Sequence, residues 1–342
     1  MSLPQPESAS RRVFFTFLPL AAMWMMMAFE QPLTNAVISR LPEAKRNLAA
    51  FGVAFGLCIF VQGPGVQLLV AGTALSGSRA SYGRLLWFVN WLVAALTVMH
   101  VLLGASPLFV LLAGRLMGVP EDLVEPARTA FLIMTPWHAS VGYRRLFQGV
   151  LVRHGRPGLV AVTTLLRLLT VVLLAGLALG LSSLPGATVG AVAVATGMMV
   201  AAVTARLLAG GVLRAMPARL EGEHPMSVRE FARFYAPLVL TALISQVVRP
   251  LTTAALSRAP MAIDSLAAWP VISSWLFLLQ GPALAVQETT VALYDRSETG
   301  RAIRRFTAIL AGVMLALTAV LALPGPADFF FRVLFGLPAE LA

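Results

Sequence analysis

Read for apolar and polar positions, the chain alternates long apolar runs with short charged or proline-bearing breaks. A helix needs about 20 mostly apolar residues to cross a bilayer core. Nine runs meet that length: residues 14–38, 48–75, 85–105, 129–151, 158–182, 187–213, 232–256, 265–293 and 303–323. They are rich in Leu, Ala and Val and lack the alternating segments of about 10 residues that mark barrel strands. The pattern therefore predicts an all-α integral membrane protein with about nine transmembrane helices. Shorter apolar pieces at 107–117 and 327–335 read as interfacial segments.

The runs repeat. The stretch from Pro32 to Pro42 returns 218 positions later, from Pro250 to Pro260 (250 − 32 = 218), with seven of eleven residues identical. At the same offset Gln62-Gly63-Pro64 matches Gln280-Gly281-Pro282, and Gly118 and Pro120 match Gly336 and Pro338. The offset spans six predicted helices, so both copies enter the membrane with the same polarity. Such parallel repeats, related by a pseudo-two-fold axis along the membrane normal, are a transporter architecture. The expected organisation is a cytoplasmic tail at 1–12, a complete six-helix bundle at 13–213, a charged linker at 214–230, and at 231–342 an incomplete second bundle of three helices.

Prolines fall at matching places. Pro removes a backbone hydrogen bond and kinks a helix, and in membranes such breaks persist where neighbours or a cavity satisfy the freed carbonyls. Pro32 and Pro250 are expected to interrupt the first helix of each copy, and Pro64 and Pro282 the second. All four are hinge candidates; a kink inherited only for packing is the plainer alternative.

Composition adds orientation and excludes several classes. The chain is 58% hydrophobic and 12% charged, with mean hydropathy +0.82, whereas soluble domains carry about 25% charged residues. No short apolar segment with a small-residue cleavage site precedes the first run, so the first span is expected to act as its own insertion signal. The net charge of +11 does not signal nucleic acid, because the arginines sit between spans. Arg11, Arg12, Arg79, Arg84, Arg153 and Arg156 begin a richer series on one side, against Arg40, Lys45, Arg46, Arg115 and Arg128 on the other. The N-terminus is thus expected in the cytoplasm, of a bacterial inner membrane. Cys58 is the single cysteine and reads as a packing residue, so no metal site and no cofactor are expected. No nucleophile elbow, P-loop, zincin pattern or dinucleotide fingerprint occurs. Catalysis finds no support, and coupling to an ion rather than ATP is expected.

Several pieces carry a family resemblance: Phe29-Glu30-Gln31, the run Leu48-Ala49-Ala50-Phe51-Gly52-Val53-Ala54-Phe55, Arg249-Pro250-Leu251 with Ser257-Arg258, and Gln287-Glu288. At these residues the chain resembles the multidrug/oligosaccharidyl-lipid/polysaccharide exporter (MATE-type) superfamily, and within it the progressive ankylosis protein family. That resemblance implies two lobes, twelve helices in all, around a central cavity and alternating access. It also implies export of small anions such as pyrophosphate, citrate or nucleotides. Helices ten to twelve of that pattern have no counterpart here, so the second repeat is read as truncated.

Ionisable residues inside a bilayer are costly, about 2.5 kcal/mol or more, and so mark candidate sites. Glu30 lies roughly 15 Å from the outer end of its helix at about 1.5 Å per residue. Arg249 corresponds to Gln31 in the repeat (31 + 218 = 249). An acid and a base at nearly equal depth could bind substrate, couple protons or hold the lobes together. His138 and Arg145 share a face of the fourth predicted helix, and Arg suits planar carboxylates and phosphates; snorkelling to headgroups is the plainer alternative. Glu288 is a candidate proton-relay carboxylate. His100 reads as interfacial, and Arg167 and Arg206 as snorkelling residues.

The leading expectation is an ion-coupled secondary transporter, an exporter of a small organic or phosphorylated anion, with membrane lipid around it and a proton or sodium as coupling ion. Alternatives are multidrug or cation efflux of the MATE type, a lipid-linked saccharide flippase, or a fragment or subunit without transport alone, completed by a second chain.

Overall fold

The computed structural model describes residues 9–321 apart from 157, 182, 225 and 294–298, together with positions 323, 325, 329 and 332. Among these the chain is helical, with no strand. In order come α1 (Ala9–Ile38), α2 (Ala44–Val66), α3 (Leu68–Leu75), α4 (Arg79–Ala105), α5 (Leu108–Val110) running into a π turn at Leu111–Leu116, α6 (Glu121–Ile133), α7 (Pro136–Arg153), α8 (Gly158–Leu181), α9 (Gly186–Ala215), α10 (Val228–Leu256), α11 (Ala262–Leu293) and α12 (Thr299–Leu321). Seven stretches among the described residues are long and apolar enough to cross a membrane: Ala44–Leu75, Arg79–Ala105, Gly158–Gly180, Gly186–Ala215, Val228–Leu256, Ala262–Val286 and Gly300–Val320. These make the chain an integral membrane protein. The expected spans 14–38 and 129–151 are helical as well, in α1 and in α6 with α7.

The 129–151 run is not one helix. It divides at Met134-Thr135 because Pro136, first residue of α7, has no N–H with which to continue α6. Helix limits also follow the 218-residue offset. Moved by 218, Ala9–Ile38 becomes 227–256, beside α10 at Val228–Leu256. Ala44 and Leu75, the outer ends of α2 and α3, become 262 and 293, the limits of α11. The matched Gly336 and Pro338 lie outside the described residues.

The chain divides into two compact units, residues 37–270 and residues 1–36 with 271–342. In the larger unit, α7 packs on α3 and α9, α8 on α9, α6 on α2 and α9, and α10 on α2. Small residues set the closest approach, as helices in lipid associate by packing rather than by hydrophobic exclusion. A Cβ on Gly149 of α7 would stand 2.5 Å from the Leu69 carbonyl oxygen and 2.8 Å from Gly72 Cα of α3. Asn47, at the start of α2, joins three segments: its amide nitrogen donates to the carbonyls of Pro42 (2.9 Å) and Glu43 (3.2 Å), and its oxygen accepts from Ala187 N of α9 (3.1 Å). The 214–230 linker is docked on the start of α4. There Ser78 and Ser81 form a capping box, Ser78 Oγ donates to the Glu223 carboxylate (2.7 and 2.8 Å), and Arg79 N donates to Pro217 O (2.9 Å).

In the smaller unit, Phe17 and Ala21 of α1 meet Ala285 of α11 and Phe306 of α12, with the Phe17 and Phe306 rings 4.8 Å apart. Asn35 Nδ2 donates to Ser274 Oγ (3.4 Å). Along α12 the large side chains Ile309, Val313, Leu315, Leu317 and Val320 are exposed, a face suited to lipid.

The four prolines sit differently in their helices. α1, α10 and α11 run on through Pro32, Pro250 and Pro282. Only near Pro64 does a helix end, at Val66, before α3 resumes at Leu68. A proline removes one helical bond, which by itself need not end a helix. At the α2–α3 break the Pro64 carbonyl is taken over from outside, accepting from Tyr235 Oη of α10 at 2.6 Å and from Gln67 N at 3.3 Å.

Candidate functional site

Inside the larger unit, polar groups from four helices form one chain of hydrogen bonds. His100 of α4 is fully buried; its Nε2 donates to the Phe131 carbonyl oxygen of α6 at 2.8 Å, and its ring stacks on the Phe131 ring at 3.8 Å. His100 Nδ1 lies 2.7 Å from Nε2 of His138 on α7, also fully buried. His138 Nδ1 lies 2.6 Å from Oε1 of Gln62 on α2. Cys58 sits one turn before Gln62 on α2, and its Sγ and a ring nitrogen of each histidine lie within 4.8 Å of one another. The expectation of an interfacial His100 is therefore corrected: α4 turns it inward, where a carbonyl and a second ring satisfy it. Gln62, His100 and Cys58 are the members that sequence reasoning missed. Their one signal was polarity within apolar runs.

Farther along α7 lies a basic patch. Arg144 is buried. Arg145 is half-buried, and its Nε has no hydrogen-bond partner among the described residues. The guanidinium of Arg167 on α8 acts on Arg145 as a like charge and lies 6.0 Å from the ring centroid of Trp137. Arg167 is only 8% exposed, so it packs against an aromatic face rather than snorkelling outward. Gln148 of α7 donates to Thr163 Oγ1 of α8 at 2.9 Å, and its own carbonyl oxygen is unpaired among the described residues. Two guanidiniums on neighbouring helices, beside amide and hydroxyl groups, can grip an anion by charge-assisted hydrogen bonds.

The remaining sequence candidates fall on other helices. Glu30 is buried at 3% exposure in α1 of the smaller unit. The adjoining Gln31 is half-buried, and its Nε2 is unpaired among the described residues. Arg249 is half-buried on α10, in the larger unit. Glu288 falls on α11, but its side chain lies outside the described residues. His138 is held in the histidine network, and Arg145 lies roughly 10 Å along the same helix, at about 1.5 Å per residue over seven residues. A separate cavity of about 610 Å³ opens at the ends of α2, α6 and α9, lined by Glu43, Arg46, Asn47, Glu125 and Thr129 among others. None of the sequence candidates lines it.

The arrangement defines a class: a polytopic helical membrane protein with polar side chains enclosed between its helices. More narrowly, the fold is similar to that of solved MATE transporter structures. An inward-facing multidrug resistance MATE transporter of the MOP superfamily superposes with a TM-score of 0.69 at 16% identity, covering 98% of this chain and 79% of the other. An outward-facing multidrug resistance MATE transporter gives 0.59 at 17% identity, covering 96% and 76%. A MOP superfamily transporter from Pyrococcus furiosus, described as having a binding pocket of reversed polarity that suggests a different function, gives 0.59 at 17% identity, covering 98% and 77%. No protein-family model matches the chain, and no curated protein sequence matches it.

Proposed function

We propose that the chain is an efflux transporter of a small organic or phosphorylated anion, coupled to protons or sodium and working by alternating access between two pseudo-symmetric bundles. The observation that carries the anion assignment is the pair Arg145 and Arg167, two like charges held inside the membrane region on α7 and α8. Planar guanidiniums on neighbouring helices suit a carboxylate or phosphate lying between them, which each can meet with paired hydrogen bonds. The fold supports transport, since the structures it matches are transporters. The coincidence of helix limits at the 218-residue offset supports the parallel repeat. The same reading places the first bundle at 13–213, the linker at 214–230 and a second bundle from 231, with the N-terminus in the cytoplasm of an inner membrane. Lipid or a second chain covers the apolar face of α12.

A second reading, efflux of organic cations, is favoured by one observation, the buried carboxylate Glu30 on α1, and by the multidrug description of two matched structures. Proteoliposomes separate the two. Efflux of a labelled tricarboxylate or pyrophosphate is expected, with Arg145→Gln and Arg167→Gln each lowering it at least tenfold. That is what losing a charge-assisted bond of about 1.5–3 kcal/mol gives. Ethidium efflux abolished by Glu30→Gln, with no anion flux, would establish the cation reading instead. Anion efflux indifferent to Glu30→Gln and Arg249→Ala would remove those two from the mechanism.

A further inference from the structure

We propose that Cys58, His100 and His138 form a buried resident site for a single soft metal ion, Cu(I), tying α2, α4 and α7 together. The argument starts from the outer nitrogens of the two rings. The Phe131 carbonyl can only accept, so His100 Nε2 carries a hydrogen and donates to it. Gln62 presents Oε1 to His138 Nδ1, so that nitrogen carries a hydrogen as well. Each neutral imidazole has one N–H, and both are now spent on oxygen acceptors. The inner nitrogens, His100 Nδ1 and His138 Nε2, then face one another as two lone pairs 2.7 Å apart. With Gln62 in this orientation, lone pairs at that distance repel unless a cation lies between them.

The surroundings choose the cation. Histidines that bind metals generally donate their other N–H to a carbonyl or carboxylate, which fixes tautomer and ring orientation; both rings do so here. The third group at hand is a thiol. Cys58 Sγ lies within 4.8 Å of a ring nitrogen of each histidine, and Cys58, His100 and His138 are all fully buried. One thiolate and two imidazoles form a soft, three-coordinate set. With Cu(I) the site is neutral, one positive charge against one thiolate, and burying it carries no net charge into the apolar interior. Zn(II) would leave one positive charge and ask for a fourth ligand, while the neighbouring oxygen, Gln62 Oε1, is already engaged by His138. Binding releases the Cys58 thiol proton. Full burial of the ligands marks the ion as resident rather than as cargo. The site is thus separate from the Arg145–Arg167 patch of the transport reading.

The test uses the full-length protein in detergent, equilibrated with Cu(I) buffered by bicinchoninate. One Cu(I) per chain is expected, with X-ray absorption showing one sulfur and two imidazole nitrogens around the metal. Cys58→Ser and His100→Gln are expected to weaken binding at least tenfold. Gln62→Leu, which removes the oxygen that orients His138, is expected to weaken it 10- to 100-fold. Should a variant fail to fold, the absorption spectrum of the unaltered protein decides the matter. No copper retained against the competitor would overturn the proposal and leave a closed neutral network, with the Gln62 amide turned to donate to His138. A shell of thioether sulfurs alone would overturn it too, pointing to the methionines between positions 23 and 27.

Discussion

Gly149→Ala should destabilise the protein although alanine is the better helix former. The added Cβ would lie 2.5 Å from Leu69 O, 2.7 Å from Thr73 N and 2.8 Å from Gly72 Cα, all backbone atoms of α3 that no rotamer change can move. Ordinary contact begins at 3.4 Å, so α3 must withdraw by roughly 0.9 Å (3.4 − 2.5). Withdrawal stretches the bond from Thr73 Oγ1 to Gly149 O (3.4 Å) and those from the Arg153 guanidinium to Thr73 O (2.9 Å) and Ala74 O (2.7 Å). Overpacking costs about 1–3 kcal/mol. Replacing a helical glycine by alanine returns about 0.5–1 kcal/mol through the unfolded chain. Taking the middle of each range, about 2 against about 0.75, the balance is a net loss of about 1 kcal/mol. Gly176→Ala and Gly180→Ala in α8 serve as controls, because no atom lies within 4 Å of a Cβ at either position. There only the gain applies. Unfolding midpoints in detergent, by heat or by titration with a denaturing detergent, should order the controls above the unaltered protein and Gly149→Ala below it. If Gly149→Ala ranked with the controls, the close approach of α3 to α7 and the packing argument built on it would be wrong.

Three further outcomes are expected. Tyr235→Phe strips the Pro64 carbonyl of its 2.6 Å donor and leaves it only Gln67 N; that costs about 0.5–1.5 kcal/mol, and hydrogen exchange should quicken first at residues 64–70, where α2 gives way to α3. Asn47→Ala leaves the Pro42 and Glu43 carbonyls and the Ala187 N–H without their shared partner, a loss of about 1–3 kcal/mol that Asn47→Asp should only partly restore, since a carboxylate accepts but does not donate; unfolding midpoints report both. Glu223 is held below the usual carboxylate range, first by the hydrogen bond from Ser78 and then by that from Leu220 N. A depressed folded value contributes stability that is present above the ordinary carboxylate pKa and lost as pH falls through the folded one, so unfolding midpoints should drop below about pH 4.5 and Glu223→Gln should flatten that part of the profile.

How much of this was legible in the sequence depends on whether the deciding energy lies along the chain or across it. The positions of the helices were legible because crossing apolar surroundings forces the backbone to satisfy itself locally, and a run of Leu, Ala and Val announces that need. The limits of α10 and α11 fall, to within a residue, at the limits of α1, α2 and α3 moved by 218 positions. The break after Pro64 was only half legible. The proline marks the weakened bond, but the partner that takes its carbonyl is Tyr235, 171 residues away; the prolines in α1, α10 and α11 show that the residue alone does not end a helix. Arg145 stood out because a guanidinium in an apolar run is expensive wherever it lies. His100, Gln62 and Cys58 did not stand out, since each alone reads as a tolerable exception in its helix. The missing step was to price them together. Polar side chains enclosed in separate apolar spans leave donors and acceptors unpaid unless they meet, so Gln62 on α2, His100 on α4 and His138 on α7 constrain how those three helices rotate against one another. Read that way, scattered polar residues in apolar helices set the orientation of a bundle, and a search for mutually satisfying sets of them would have put His100 beside His138 before any fold was known.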